Sequence, residues 1–446
     1  MAICTDCRRR VCWRSVLRLT LPAFGVLVAE PLYLLYDLAV VGRLGALALA
    51  GLAVGGLVLA QVSTQLTVLS YGTTARAARW HGAGARDRAV GEGVQATWLA
   101  VGVGLLLVGL VEAVANPICG LIAGRPEIAA EAERWLRIAV LGVPAILVTM
   151  AGNGWLRGVQ ELARPFGFIV AGLGLSTVLC PMLVHGVAGA PALGLVGSAV
   201  ANVTGQTVAA ALFLAALRRE RVSMRPRPAV LREQLVMGRD LVARSLAFQV
   251  CFVSAGAVAA RFGAAAVAGH QLVLQLWSFV ALVLDSLAIA AQTLVGAALG
   301  AGDRAGARAT ALRVTCWSTL TAVLLAAGFA VAARVLPTWF TRDGTVLAQV
   351  GSIWWLFVAL MPVAGVVFAL DGVLLGAGDA AYLRSTTLAA ALLGFLPLIW
   401  GALVLDWGLP GIWTGLAAFM LIRLVAVSVR VASGRWAIVG AAATPP

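Results

Sequence analysis

Long apolar runs alternate with short polar segments along the whole chain. A helix that crosses a bilayer needs about 20 mainly apolar residues, and twelve runs reach that length. Clusters of arginine, glycine and proline separate one run from the next, as expected of loops between helices. The pattern predicts an all-α polytopic membrane protein with twelve transmembrane helices. The runs lie at residues 15–41, 47–75, 93–115, 131–153, 164–186, 192–217, 238–261, 266–299, 309–333, 345–376, 383–405 and 409–432.

The two halves of the chain repeat one another at an offset of 218 residues. Gly42–Ala46 (GRLGA) matches Ala260–Ala264 (ARFGA), and Asn153–Gly158 (NGWLRG) matches Asp371–Gly376 (DGVLLG). Six spans per copy is an even number, so both copies share one orientation, as in transporters built from parallel repeats. We therefore expect two six-helix lobes joined by a basic linker, at residues 1–217, 218–244 (the linker) and 245–446.

Composition agrees with a membrane protein, and the charge pattern predicts its orientation. Hydrophobic residues make up 61% of the chain and charged residues only 12%, against about 25% charged in soluble proteins. The net charge is +14, and all 33 basic residues are arginines. With both termini on one side, that side holds 26 of them: five in the N-terminal segment, four, two, eight, three and one in the loops after spans 2, 4, 6, 8 and 10, and three at the C-terminal end. Because arginine stays cytoplasmic, we expect cytoplasmic termini, the plasma (inner) membrane and no nucleic-acid partner.

The sequence gives little support for a metal, a cofactor or an enzymatic site. Cys4 and Cys7 could form half of a zinc site, but no second pair follows. The three histidines are scattered, and no Ser/His/Asp or Cys/His motif is present. We expect no cofactor, no bound metal and no enzymatic activity.

The first span carries the most unusual residues for a helix inside a membrane. Leu21–Gly45 contains Pro22 and Pro31, each of which removes a backbone donor and can bend a helix. It also contains Glu30 and Asp37. An acidic residue at the bilayer centre costs on the order of 2.5–3.5 kcal/mol, so such residues commonly mark ion or substrate pathways. The alternative is a carboxylate that hydrogen-bonds a neighbouring helix and only stabilises packing.

Further polar residues inside predicted spans are candidates for lining a cavity. Of the 19 acidic residues, only two besides Glu30 and Asp37 lie well inside spans, and these are Asp285 and Asp371. Asp285 could make a polar helix contact together with Ser286 and Gln292. The complete set of cavity candidates is Glu30, Asn153, His270, Asp285 and Asp371.

Four segments resemble a known family. They are AEPLYLLYDLAVVGRLG in span 1, LGLVGSAVAN in span 6, AGHQLVLQLWSFVALVLDSLAIAAQTLVGAALGAGD around span 8 and LDGVLLGAGD after span 10. The resemblance is to the multidrug and toxic compound extrusion (MATE) family, in its DinF-like branch, and covers nearly the whole chain. It implies export of amphipathic or cationic small molecules in exchange for H⁺ or Na⁺ by alternating access. We expect the chain to act as a monomer in the bilayer.

The resemblance also assigns candidate roles to individual residues. Asp37 matches the ion-coupling aspartate of the family's first helix, and Pro22 matches a helix-bending proline. The family often has an Asn and an Asp on its fifth helix, where this chain has Ser176 and Cys180. Ser198 stands where a Thr often completes the cluster. Because the second carboxylate is missing, the sequence favours coupling to H⁺ over Na⁺.

Two alternatives to an efflux antiporter stay open. One is a flippase for lipid-linked sugars from the same superfamily, which would favour an arginine-rich cavity; few arginines are predicted inside spans. The other is a non-transporting membrane protein, which would not need the 218-residue repeat.

Overall fold

A computed structural model describes residues 13–441, so Cys4 and Cys7 lie outside the described residues. All regular secondary structure in this part of the chain is helical. The first half contains α1 (Trp13–Val41), α2 (Ala46–Leu66), α3 (Val68–Gly82), α4 (Arg86–Ala123), α5 (Pro126–Ala139), α6 (Val143–Gly158), α7 (Ala163–His185) and α8 (Leu195–Arg219). The second half contains α9 (Pro228–Arg261), α10 (Ala264–Gly300), α11 (Arg304–Val331), α12 (Leu336–Phe340), α13 (Gly344–Gly376), α14 (Ala380–Ala389), α15 (Leu396–Val404) and α16 (Gly408–Ser433).

Eleven helical segments in the described residues are long and apolar enough to cross a membrane. The second predicted span, 47–75, is divided between α2 and α3, and its apolar stretch in the described part of the chain is Ala46–Gln61. Polar residues such as Ser63 and Thr64 follow, and the helix is interrupted at Thr67 between α2 and α3. Helices α5 and α6 together form one span, Pro126–Gly158.

The chain divides into two compact units. The N unit comprises residues 25–238. The C unit comprises residues 239–441 together with residues 13–24 from the beginning of the chain. Both boundaries fall inside a helix, α1 and α9 respectively. The segment predicted as a linker, 218–244, is non-helical only between α8 and α9.

The repeated glycines have the same packing role in each unit. A Cβ on Gly154 of α6 would lie 2.8 Å from the carbonyl oxygen of Ser70 on α3. A Cβ on Gly372 of α13 would collide with the carbonyl oxygen of Ala288 on α10. Ser70 and Ala288 are themselves 218 residues apart. Glycine at these positions lets two helix backbones approach closely, a common device in membrane helices.

The start of α9 is attached to α3 and α4 within the N unit. Glu92, which is 4% exposed, accepts two hydrogen bonds from Arg76 at 2.8 and 2.9 Å and one from Gln234 at 2.7 Å. The side-chain amide of Gln95 donates to the Arg225 carbonyl oxygen at 3.0 Å and accepts from the Arg227 backbone N–H at 2.7 Å. These contacts order the chain between α8 and α9.

Candidate functional site

Asp37 lies in the interior of the N unit, with only 3% of its surface exposed. The Cys180 thiol on α7 donates to its Oδ1 at 3.1 Å, and the Ser198 hydroxyl on α8 donates to its Oδ2 at 2.9 Å. Three helices therefore meet at one carboxylate. Each oxygen has one neutral donor, and no arginine is paired with Asp37 among the described residues.

Tyr33 extends this cluster one helical turn before Asp37. The Ser176 hydroxyl on α7 donates to the Tyr33 phenol oxygen at 2.7 Å. Ser176 was predicted beside Asp37, and the structure shows it on the same face of α7 as Cys180 but bonded to Tyr33. The indole N–H of Trp135 donates to the Ser198 hydroxyl at 3.4 Å. Neither Tyr33 nor Trp135 was singled out from the sequence, although Tyr33 stands four residues before Asp37 and therefore on its helix face.

The donor set around Asp37 suits a proton better than a metal ion. It offers a carboxylate, a thiol and a hydroxyl, whereas a hard cation is usually held by several oxygen ligands. No group of three or more His, Cys, Asp or Glu side chains in the described part of the chain could hold a metal.

A cavity of about 160 Å³ lies in the N unit among α1, α3, α6, α7 and α8. Its walls are largely apolar, with Leu27, Met150 and Leu173 among them. Glu30 and Asn153, two of the predicted cavity residues, both line it.

Several polar groups of this cavity have no partner in the described structure. The Ser70 hydroxyl, the Thr149 hydroxyl and the Asn153 amide oxygen are buried, and none of these three atoms is hydrogen-bonded. Buried polar atoms are nearly always paired. A largely apolar concavity with a few unpaired polar atoms is the usual composition of a small-molecule site.

Arg157 also lines the cavity and is 4% exposed. The predicted spans place Arg157 in the loop after residue 153, but it lies at the end of α6. Buried arginines are few, as expected: besides Arg157, only Arg79 and Arg423 are buried in the described part of the chain.

The remaining predicted cavity residues belong to the C unit and are separate from one another. His270 is 4% exposed, packs edge-on against Trp413, and has no hydrogen bond at either ring nitrogen. Asp285 is half-buried on α10, and its neighbour Ser286 donates to the Val283 carbonyl. Asp371 is ion-paired with Arg244 and Arg423.

Both prolines of the first span lie inside α1, which continues as a helix through Pro22 and Pro31. Proline supplies no N–H to the preceding turn. The carbonyls at residues 18 and 27 therefore lack their usual helical donor.

Comparison with known proteins defines the class. The MatE family model matches residues 22–182 and 241–400, one match in each half of the chain. Protein DETOXIFICATION 44, chloroplastic, of Arabidopsis thaliana is 32% identical, covering 97% of this chain and 85% of that protein. DNA damage-inducible protein F of Escherichia coli K12 is 29% identical, covering 92% of this chain and 90% of that protein. Among solved structures, the outward-facing conformation of a multidrug resistance MATE family transporter aligns with a TM-score of 0.82 at 19% identity, over 95% of each chain.

The protein is thus a multi-pass membrane transporter, not an enzyme. It belongs to the MATE family of multidrug and toxic compound efflux transporters. The predicted all-α fold of two six-helix lobes and the resemblance to the DinF-like branch are confirmed.

Proposed function

We propose that this protein is a secondary active antiporter that exports amphipathic or cationic compounds in exchange for inward-moving H⁺. The observation that carries the proposal is the Asp37 carboxylate, which is almost completely buried and is hydrogen-bonded by the neutral groups of Cys180 and Ser198. A buried carboxylate without a cationic partner is costly in a membrane, and binding a proton neutralises it. Alternating access then couples proton entry to substrate exit.

Ser176 takes part in the ion-coupling group through Tyr33. Its hydrogen bond fixes the phenol one turn from Asp37, so Ser176 positions the group and does not bind the ion itself. Pro22 and Pro31 let α1 bend as the site changes access, because two of its internal hydrogen bonds are missing.

The substrate occupies the cavity of the N unit. Its apolar walls suit an amphipathic compound, and the carboxylate of Glu30 at its lining favours a positive charge. The unpaired oxygens of Ser70, Thr149 and Asn153 accept hydrogen bonds from the substrate. Na⁺ is the alternative coupling ion, and the protein acts as a monomer in the plasma (inner) membrane with both termini in the cytoplasm, as the arginine distribution supports.

A second candidate function is lipid-linked sugar flipping, which the buried Arg157 in the cavity favours, since arginine binds phosphate well. Glu30 in the same cavity and the apolar walls argue for the cationic exporter. A scrambling assay with a lipid-linked sugar separates the two functions: flipping by the purified protein, lost in Arg157→Gln, would replace the antiporter proposal.

The test of the antiporter is Asp37→Asn in proteoliposomes. The amide preserves the shape and can still accept a hydrogen bond, but it cannot take up and release a proton. We expect gradient-driven export of a cationic dye to be abolished while the protein still inserts and purifies normally. Asp87→Asn, at an exposed position in the first turn of α4, is the matched control and should keep wild-type export. Wild-type export by Asp37→Asn would leave Asp37 with a packing role only.

A further inference from the structure

The C unit contains a buried cluster of three charged side chains. Arg244 of α9 donates to Asp371 Oδ2 of α13 at 2.6 Å, and Arg423 of α16 donates to the same oxygen. The exposed fraction of the side chain is 17% for Arg244, 8% for Asp371 and 2% for Arg423. Phe248 packs against both guanidinium groups, with centroid distances of 5.5 and 4.9 Å.

The charges of this cluster do not balance. Two guanidinium groups share one carboxylate, and arginine remains charged in proteins. None of the three side chains has another ion-pair partner among the described residues. The Nε groups of both arginines are buried donors without an acceptor, and the second oxygen of Asp371 is also unpaired. An uncompensated charge inside a membrane protein is unfavourable, so this cluster favours the binding of an anion.

The repeat shows that this cluster stands where the N unit has its cavity. At the offset of 218, Asp371 corresponds to Asn153 and Arg244 to Val26. In the last helix of each half, α8 and α16, Gly194-Leu195 matches Gly408-Leu409, so the offset there is 214. Arg423 therefore corresponds to Ala209. Asn153, Val26 and Ala209 all line the N-unit cavity. The C unit thus has positive charge at the positions where the N unit has space for a ligand.

We propose that Arg244, Arg423 and Asp371 form a binding site for a small monovalent anion, chloride or a carboxylate. The anion accepts hydrogen bonds from guanidinium N–H groups that Asp371 leaves free, and it neutralises the cluster. Arg244, the most exposed of the three, is where the anion approaches. Asp371 holds the two cations together and sets the net charge at +1, which selects one monovalent anion over a divalent one.

The first test is an anion titration of the purified wild-type protein in detergent, followed by thermal unfolding. Chloride, acetate and the bulky anion gluconate are compared at constant ionic strength. We expect a saturable rise in unfolding temperature with chloride, with acetate, or with both, and none with gluconate. The relative response to chloride and acetate identifies the preferred anion. Equal responses to all three, or no saturable response, would overturn the proposal.

The second test is Arg244→Gln. It leaves Arg423 paired with Asp371, a balanced ion pair, so the fold should persist. The anion concentration that gives half of the maximal rise in unfolding temperature should increase at least tenfold. Arg342→Gln is the matched control, because Arg342 is exposed just before the first turn of α13 in the same unit, at the opposite end of that helix from Asp371. It should keep the wild-type anion response. An unchanged response in Arg244→Gln would show that the anion binds elsewhere.

Asp371→Asn changes the response in the opposite direction. Removing the carboxylate raises the net charge of the cluster to +2, so the variant should depend on the anion more strongly and bind it more tightly. A cluster that serves only as a structural ion pair would become less stable without any gain in anion affinity, and that result would contradict the site. These measurements require no transport, so they stand apart from the antiporter test.

Discussion

At the residue scale, the Asp37 group depends on which side chains donate to each carboxylate oxygen. Cys180 donates to one oxygen and Ser198 to the other. A hydrogen bond to a charged group contributes about 1.5–3 kcal/mol, so both donors affect how easily Asp37 releases a proton. Ser198 is itself held by Trp135, which fixes the hydroxyl oxygen beside Asp37.

Substitutions at Cys180 test this dependence. Cys180→Ser keeps a donor to Asp37, so export under a fixed pH gradient should stay within about threefold of wild type. Cys180→Ala removes the donor and makes the ionised carboxylate harder to form. A loss of about 1.5–3 kcal/mol corresponds to a rate about 10–160-fold lower. Initial export rates in proteoliposomes measure both. Equal rates for the two variants would show that the thiol does not support the carboxylate.

The sequence indicated part of this site, and the reason for the remainder is physical. Asp37 stands out because an acid in an apolar span is costly, and the resemblance pointed to Cys180 and Ser198. Tyr33 and Trp135 did not stand out, because aromatic residues are common in such helices and only tertiary packing selects the ones that bond. Arg423 lies inside the predicted span 409–432, and nothing local reveals that its partner, Asp371, is 52 residues away.

At the scale of elements, close helix contacts hold each unit together. Gly154→Ala would place a methyl group 2.8 Å from the Ser70 carbonyl oxygen and push α3 and α6 apart. Overpacking of this kind costs about 1–3 kcal/mol, so the thermal unfolding midpoint in detergent should fall. Gly109→Ala in α4 is the control, because its Cβ would meet open space. A midpoint as low in the control as in Gly154→Ala would contradict the packing argument.

A cluster of ion pairs at the ends of three helices makes the stability of the N unit depend on pH. Arg86 at the start of α4 bonds Glu220 after α8 and Glu161 after α6. The Arg86 guanidinium holds the pKa of Glu220 below its usual value. A carboxylate with a lowered folded-state pKa stabilises the fold above its unfolded pKa, about 4.3, and this contribution is lost as the pH falls through the folded-state value.

We therefore expect the unfolding temperature to decrease once the pH falls below about 4.3. Glu220→Gln should lower the unfolding temperature at neutral pH and make it less sensitive to acid. The effect should be modest and weaken with salt, because Arg86 is 42% exposed in its side chain. Glu127→Gln, at a largely exposed position, should leave both quantities unchanged. An acid dependence of the same size in Glu220→Gln and wild type would assign it to other carboxylates.

Helix positions were predictable from apolar runs, but two local breaks were not. The second predicted span is interrupted at Thr67, between α2 and α3. Between α14 and α15 a π-helical stretch, Ala390–Phe395, widens the helix just before Pro397. Proline cannot donate to the carbonyl of the preceding turn, and a π-helical turn is one way to accommodate this. Hydropathy does not detect either break, because both lie inside runs of suitable length.

At the scale of the whole molecule, the repeat has diverged in charge. The N-unit cavity is lined by the uncharged residues Val26, Asn153 and Ala209, whereas the corresponding positions of the C unit carry Arg244, Asp371 and Arg423. The sequence showed the repeat and the Asn153–Asp371 difference. It did not show that Asp371 would be paired, because the arginines come from helices far apart in the chain. Two copies of one fold therefore provide two different electrostatic environments.

The coupling ion is the property of the whole transporter that these observations predict most sharply. With one carboxylate, one thiol and one hydroxyl, the Asp37 group has what a proton needs and few of the oxygen ligands that a hard cation prefers. One charge moving through 100 mV releases about 2.3 kcal/mol, enough for roughly a 50-fold substrate gradient. In proteoliposomes with each gradient imposed separately, an inward pH gradient should drive export at symmetric Na⁺, and a Na⁺ gradient at symmetric pH should not. Export driven by Na⁺ alone, with no response to pH, would mean that backbone carbonyls and Ser198 complete a sodium site around Asp37.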